Sequence, residues 1–521
     1  MPNQPHESRP QPQPRALALQ RAVALLSCGL VLGVGCGRKD SGQGHNAAAV
    51  VVKPRDSAPR PPAPEVANLW QNVRSIELVG TMQSWEPGQS YEAEGPPRDV
   101  GSATFTLRDG GASGQASIAW SRHVKYPFAR SYDYVSVVNT TRGEVRGLDS
   151  QYFETPPPPR AMSTDRLAAT WRLIHQLSPL SYLTGRAPEL EPVLDPATKL
   201  PVRLRAHDAD SVQGDSTLDV VMNEWKPEGE LLVPRSMSFM LNGQTLAEVT
   251  IERVRFNPSD APAPPPQLSP IKSDANGGPV PYEWVLRREA MGGYSDDDSV
   301  SKQHLEQVAE GVFLVAGRTH NALVVDMTDH LVVIDAPLDE AYGQSILRTC
   351  HERFPLKPIK TLVLTHHHND HSGGARAFVA AGVDVLVGSG NFQHFRRMFE
   401  APHHLDHDAL DRAPKPAHLT EVSESQTLKS GARSIQLVQV ANHHAKGMLV
   451  AYLPVERIAF VADLWSPERD KLRAPLTFER HKDLVDALRA AKITPRRIVG
   501  GHGGVGNYAE LATAVDAGPS E

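Results

Sequence analysis

Four residues in the run His366-His367-His368-Asn369-Asp370-His371 could bind metal together: His366, His368, Asp370 and His371. The apolar segment Thr361-Leu362-Val363-Leu364 precedes them and reads as a β-strand that delivers the chain to a loop. Side chains two apart on an extended loop point the same way, so His366 and His368 can hold one ion. Asp370 and His371 come where Ser372-Gly373-Gly374 starts a helix, and they point to a second place. Imidazole and carboxylate together suit zinc-class ions. The wider sequence also points to metal, since 16 of the 22 histidines lie between His320 and His502.

With this run in hand, the sequence resembles the metallo-β-lactamase superfamily over roughly residues 305–515. Ile334-Asp335-Ala336-Pro337 looks like that family's first motif, an aspartate at a strand end that buttresses the metal loop. His366, His368, Asp370 and His371 are the second. Asn442-His443-His444-Ala445-Lys446-Gly447 looks like the third, and Phe460-Val461-Ala462-Asp463 like the fourth. Val499-Gly500-Gly501-His502-Gly503 looks like the fifth. The resemblance implies an αββα sandwich with its site at the sheet edge. It implies one site from His366, His368 and His444, a second from Asp370, His371 and His502, and Asp463 bridging them as in the glyoxalase-II-type branch. Two zinc ions per chain are expected, with iron or manganese as alternatives. Metals ~3.5–4 Å apart bring the pKa of a shared water to about 7, so no serine or cysteine nucleophile is needed. Asp370 is expected to act in catalysis too, orienting the attacking hydroxide. The substrate class is an ester, lactone, thioester, amide or sulfate ester. Only 19 residues follow His502, so the helical tail that holds a glutathione thioester is not expected.

Each ligand has a blander neighbour. His367 lies between ligands and points the other way. His443 is the alternative to His444, but only His444 keeps a glycine three residues on. His403, His404 and His407 could form a third metal site, or sit on an exposed loop at the cleft mouth. His320 and Asn321 precede a strand and line the cleft, with no catalytic role. Two other function classes remain. One is an iron-dependent redox member of the superfamily, whose di-iron form usually has glutamate where His368 stands. The other is a ligand carrier with a secondary metal site.

These residues need elements to place them. From Leu305 onward short apolar strands (312–315, 322–326, 331–334, 361–364, 383–387) alternate with helices at 340–354, 373–381 and 391–399. Strands recur at 434–440, 448–453, 458–461 and 498–499. Residues 66–257 instead read as a β-rich domain, with strands near 75–85, 101–108, 115–121, 130–139, 202–207, 218–225, 231–239 and 246–256. Asn242-Gly243 is a hairpin signal. One helix, 164–177, puts Leu167, Trp171, Ile174 and Leu177 on one face. The layout loosely resembles the half-barrel of bacterial lipoprotein carriers and would suit an apolar ligand. The expected fold is therefore two-domain, α+β and α/β. An antiparallel β-rich domain with a helix comes first, then an αββα metallo-β-lactamase sandwich at 304–521. A Pro- and Asp-rich linker at 258–303 joins them.

Composition narrows the rest. Of 521 residues, 40% are hydrophobic and 22% charged, which fits packed domains. Net charge of −6 gives no general attraction to nucleic acid. Three cysteines exclude a disulfide scaffold and an iron–sulfur protein. Residues 1–36 read as an export leader: Arg9, Arg15 and Arg21, then an apolar run at 22–34 too short to span a membrane. Gly33-Val34-Gly35-Cys36 resembles a bacterial lipoprotein box, with Cys28 as the alternative site. The expectation is an exported protein, periplasmic or tethered to a membrane by lipid on Cys36 through a flexible stretch at 37–65. Cys350 is then the only interior cysteine, buried and inert.

Overall fold

A computed structural model of the chain describes residues 69–150, 155–260, 266–269, 303–317 and 319–520. The leader, both candidate lipid sites, the tether and most of the 258–303 linker lie outside the described residues. Among those described, no helix is long and apolar enough to cross a membrane.

The first half builds one eleven-stranded antiparallel sheet. Its strands follow each other in space in two runs, from Ile76–Glu86 out to Arg160–Ala161 and from Glu191–Leu194 back to Gln244–Phe256. The runs join where Ile76 pairs with Phe256 on one side and Asp109 on the other. Burial alternates along Ile76–Glu86, as a period-two strand with one covered face requires. That face packs Phe105, Trp120, Tyr134 and Phe239 against the helix Thr164–Leu177, which contributes Leu173, Ile174 and Leu177. Burying each such side chain contributes about 1.5–3 kcal/mol. Ser163 caps the helix by accepting from the Arg166 N–H, and Pro179 opens the short helix that follows. Asn242 and Gly243 turn the chain between Leu231–Leu241 and Gln244–Phe256 with positive φ at both, as the Asn-Gly pair predicts.

The second half stacks two mixed sheets. One has seven strands, His304–Ala309 through Leu419–Val422 in chain order, antiparallel at first and parallel from Leu331–Ile334 onward. The other has six, Ser425–Ser430 through Val505–Asn507. Their facing sides share a core of Leu314, Leu323, Val332, Val363, Leu437, Leu449 and Phe460. Helices Glu340–Arg353, Ala375–Ala381 and Phe392–Glu400 cover the outer face of the first sheet through Tyr342, Ile346, Phe378 and Phe395. Pro475–Ala490 and Tyr508–Asp516 cover the second through Leu484, Val485, Leu488 and Leu511. The layers are those of an αββα sandwich. The last two helices are additions to the sequence reading.

Close packing where the metal-type loop meets the first helix limits what Gly373 can become. A Cβ there would lie 1.8 Å from the Leu338 carbonyl oxygen, so the backbone itself must move. Gly373→Ala is expected to lower stability by at least the 1–3 kcal/mol typical of overpacking (roughly). A urea titration checks this, and an unchanged midpoint would show that the contact is not tight.

Candidate metal centre

Two parallel neighbours bring the site together. Leu331–Ile334 and Ile359–Leu364 run side by side with Ile334 opposite Val363, so both leave the sheet at one edge. The residue after the first strand is Asp335, fully buried with φ of +66°. That backbone is unfavourable for aspartate, and its side-chain bonds hold it there. Oδ1 accepts from the Thr365 N–H at 2.8 Å and Oδ2 from the Thr365 hydroxyl at 2.9 Å. Oδ2 also accepts from His371 Nδ1 at 2.9 Å. Burial still pushes the Asp335 carboxyl up, despite those bonds. Asp335 thus turns His371 so that its Nε2 faces inward.

The other elements close around this pair. Asn442 Oδ1 accepts from the N–H groups of His444 and Ala445, both at 2.8 Å, which folds the third motif into a tight loop. Asp463 stands in the turn Ala462–Leu464 just after the strand Ile458–Phe460. Asn321 donates to the carbonyls of Gly500 and Gly503 at 3.1 and 2.8 Å and so sets the turn bearing His502. His502 Nδ1 donates to the Thr319 carbonyl at 2.6 Å, leaving Nε2 for the cleft. Gly501 is obligatory in this packing, since a Cβ would lie 2.6 Å from the His371 ring.

The result is two clusters that share one carboxylate. Ligand-type atoms of His366, His368, His444 and Asp463 lie within 4.8 Å of one another, as do those of Asp370, His371, Asp463 and His502. Asp463 Oδ2 is 3.1 Å from His444 Nε2, while Oδ1 is 2.6 Å from His371 Nε2 and 3.2 Å from His502 Nε2. Asp370 Oδ2 is 3.7 Å from His502 Nε2 and 3.8 Å from His371 Nε2. His366 Nε2 and His444 Nε2 are 3.3 Å apart. Tetrahedral arms of about 2.05 Å put two ligand nitrogens roughly 3.3 Å apart, so the donors fit a zinc-class ion. His368 Nδ1 is buried without a hydrogen-bond partner, and the equally buried His371 Nε2 and Asp463 Oδ1 face each other at 2.6 Å. Partnerless buried polar atoms are costly, and a cation between them removes that cost.

Electrostatics follow from burial and opposed charge. Burial holds the imidazoles of His366, His368 and His444 below the usual range, so they are neutral with free lone pairs. Burial also opposes charge on His371. There the carboxylates of Asp463 and Asp370 and the Asp335 bond win, and hold it well above the usual range. Burial likewise opposes charge on Asp370 and Asp463, and His371 more than offsets it, so both stay ionised. His320 is pushed down to about 3, first by burial and then by His502.

The remaining histidines sort by contact. His443 is exposed and paired with Asp483 at 2.9 Å, so His444 alone of the two enters the cluster. His367 turns away, as the alternation of the loop requires, and its Nε2 meets the Ser90 carbonyl at 2.9 Å. His320 comes nearer than a cleft-lining position implies, with Nε2 3.4 Å from Asp370 Oδ2. The expectation of an exposed 403–407 loop needs correcting at His403. That residue is buried against Asp406 and Asp408, the latter fixed by the buried Arg376. His404 and His407 are exposed and paired with Asp215 and Asp411. Among the described residues, none of the three joins a metal-type cluster.

Sequence reasoning missed one group altogether. The connector at 87–97, between the first two strands of the N-terminal sheet, reaches the cluster. Gln89 Nε2 donates to Asp370 Oδ1 at 2.7 Å, and His368 Nε2 donates to the Ser90 carbonyl at 3.0 Å. Arg98 donates to the His444 carbonyl at 2.7 Å, and the Tyr126 ring stacks on His444 at 6.3 Å. No motif or periodicity marks these residues.

Comparison with known proteins agrees with the geometry. The metallo-β-lactamase superfamily profile matches residues 315–502. The alpha subunit of 2,4-dinitroanisole O-demethylase from Nocardioides sp. is 22% identical over 191 residues, 36% of this chain and 49% of that one. An alkyl/aryl-sulfatase of Saccharomyces cerevisiae is 29% identical over 76 residues, 14% of this chain and 12% of that one. The chain thus spans half or less of the length of these curated relatives. A metallo-β-lactamase from Pontibacter korlensis is 18% identical, with 98% of its chain and 41% of this one covered and a TM-score of 0.32. The profile match makes residues 315–502 a metallo-β-lactamase superfamily domain.

Proposed function

We propose that this protein is a dinuclear zinc hydrolase that cleaves an ester, lactone, thioester, amide or sulfate ester bond. The observation that carries this reading is Asp463, which offers one oxygen to each of two clusters of neutral or charge-balanced donors. His366, His368 and His444 would hold one ion, and Asp370, His371 and His502 the other. Bound there, the pair would acidify a shared water and polarise the scissile group. The chain's own part is positioning. Asp335 fixes His371, Thr319 fixes His502, and the partly exposed Asp370 would orient the nucleophile. Asp370 and His502 are 17% and 16% exposed, whereas His366 is fully buried, so substrate would approach on the Asp370 side. Nitrogen at His368 favours zinc over the redox branch. Export and a lipid anchor on Cys36 belong to the same proposal. Acyl mass on Cys36 in the native protein supports it, and an intact Met1 in cytosolic extract refutes it.

Metal content is the first test. Protein purified without chelator is expected to approach two zinc-class equivalents per chain. His371 holds a proton in the metal-free site, so loading must expel it and affinity must rise with pH. Zinc added to metal-free protein at pH 7 in weak buffer should release about one proton or more per chain. Zero stoichiometry in metal-replete protein refutes the assignment.

Turnover is the second. The panel comprises a chromogenic ester, lactone, thioester, phosphodiester and cephalosporin, with 2,4-dinitroanisole and an aryl sulfate added because the curated relatives bear those names. Asp370→Asn keeps the volume but loses charge and basicity. Orientation and electrostatic stabilisation are each worth about 10²–10³ in rate, so kcat should fall at least about a hundredfold while circular dichroism is unchanged. Near-normal turnover by Asp370→Asn would give the site to the redox or carrier reading instead.

A further inference from the structure

We propose that Gln89 and the Ser90 carbonyl, on the connector from the N-terminal sheet, are positioning groups of the metal centre, so that the sheet completes the catalytic unit. This rests on the two-ion reading of the cluster.

The contacts go to the proposed ligands rather than to the surface around them. Gln89 is 4% exposed, and both ends of its amide are bonded. Oε1 accepts from the Tyr126 hydroxyl at 2.7 Å, and Nε2 donates to Asp370 Oδ1 at 2.7 Å and Asn369 Oδ1 at 3.3 Å. A flipped amide would set its carbonyl against a carboxylate, so the orientation is determined. The bond occupies Oδ1 of Asp370 and leaves Oδ2, with His320 at 3.4 Å, His502 at 3.7 Å and His371 at 3.8 Å, as the oxygen that would be offered to an ion. The Ser90 carbonyl acts on His368 in the complementary way. Accepting from Nε2–H, it fixes the tautomer whose lone pair sits on Nδ1, the atom left buried and partnerless.

The connector is rigid enough for this. Glu86 Oε1 accepts from the Gly88 N–H at 2.6 Å, and the Ser90 hydroxyl donates to the Pro87 carbonyl at 2.9 Å. Arg98 donates to the carbonyls of Gln89 and His444 and lies 4.6 Å over the Tyr126 ring. The connector and Arg98, the strand residue that follows it, thereby touch Asp370, His368 and His444, which come from two loops of the metal domain. Farther along it, the Glu92 side chain makes an exposed ion pair with Lys446 at 3.0 Å. That contact docks the connector without touching a ligand.

The experiment uses the full chain, with zinc affinity measured by chelator competition and geometry by the visible spectrum of the cobalt-loaded form. Gln89→Leu should bind one of its two ions about 10–100-fold more weakly, with altered cobalt band intensity and a cooperative melt. Tyr126→Phe frees the amide to turn and should give a severalfold loss in the same direction, which keeps the test open if Gln89→Leu does not fold. Glu92→Gln should match the parent. If the parent binds two ions and Gln89→Leu and Tyr126→Phe match it in affinity and spectrum, this inference is overturned and the two-ion reading stands. An equal loss in Glu92→Gln would also overturn it, since docking alone would explain the effect. A parent that binds no metal overturns both.

Discussion

Everything at the centre depends on one buried carboxylate. Asp335 ties the end of one parallel strand to the start of the loop that leaves the next, and then orients His371. Without those three bonds a full charge would be stranded in the core, and removing one partner of such a group costs about 3–5 kcal/mol. The parallel register puts Asp335 and Thr365 side by side, so the sheet fixes the site before any ligand is considered. Asp463 and His502 are then set against this origin by the second sheet, whose strands Ile458–Phe460 and Arg497–Val499 are themselves parallel neighbours.

The sandwich therefore brings its donors to one edge from both sheets, while the N-terminal sheet arrives from outside. Its connector meets His368 and one oxygen of Asp370, while Asp370 and His502 keep partial exposure to solvent. Elsewhere the two halves also touch through Asp215, which accepts from the backbone of His404 and Leu405. Beside these polar contacts, Val212 of the first half packs against the core of the second. The fully buried residues of the two halves otherwise form separate sets.

Local signals in the sequence carried much of this. The helix Thr164–Leu177 was legible because its apolar stripe of Leu167, Trp171, Ile174 and Leu177 is the face that packs on the sheet. The metal cluster was legible because its donors follow strand ends in chain order, and the histidine motifs lie near glycines that the packing requires, Gly373, Gly447 and Gly501. Pro475–Ala490 was not, because its buried Phe478, Leu484, Val485 and Leu488 alternate with charge that masks the stripe. His403 was misjudged because its burial depends on Arg376 and Asp408, partners that no spacing announces. Gln89 was invisible for the same reason. Its partner lies 281 residues away, and an amide that meets a carboxylate by tertiary packing leaves no periodic trace.

The uneven exposure of the two clusters has a kinetic meaning. His366 and His368 are shut off from solvent on every side, and the opening lies at Asp370 and His502. In the two-ion reading, an ion held by the inner histidines would be the better shielded of the two, and the ion beside Asp370 and His502 would exchange with solvent first.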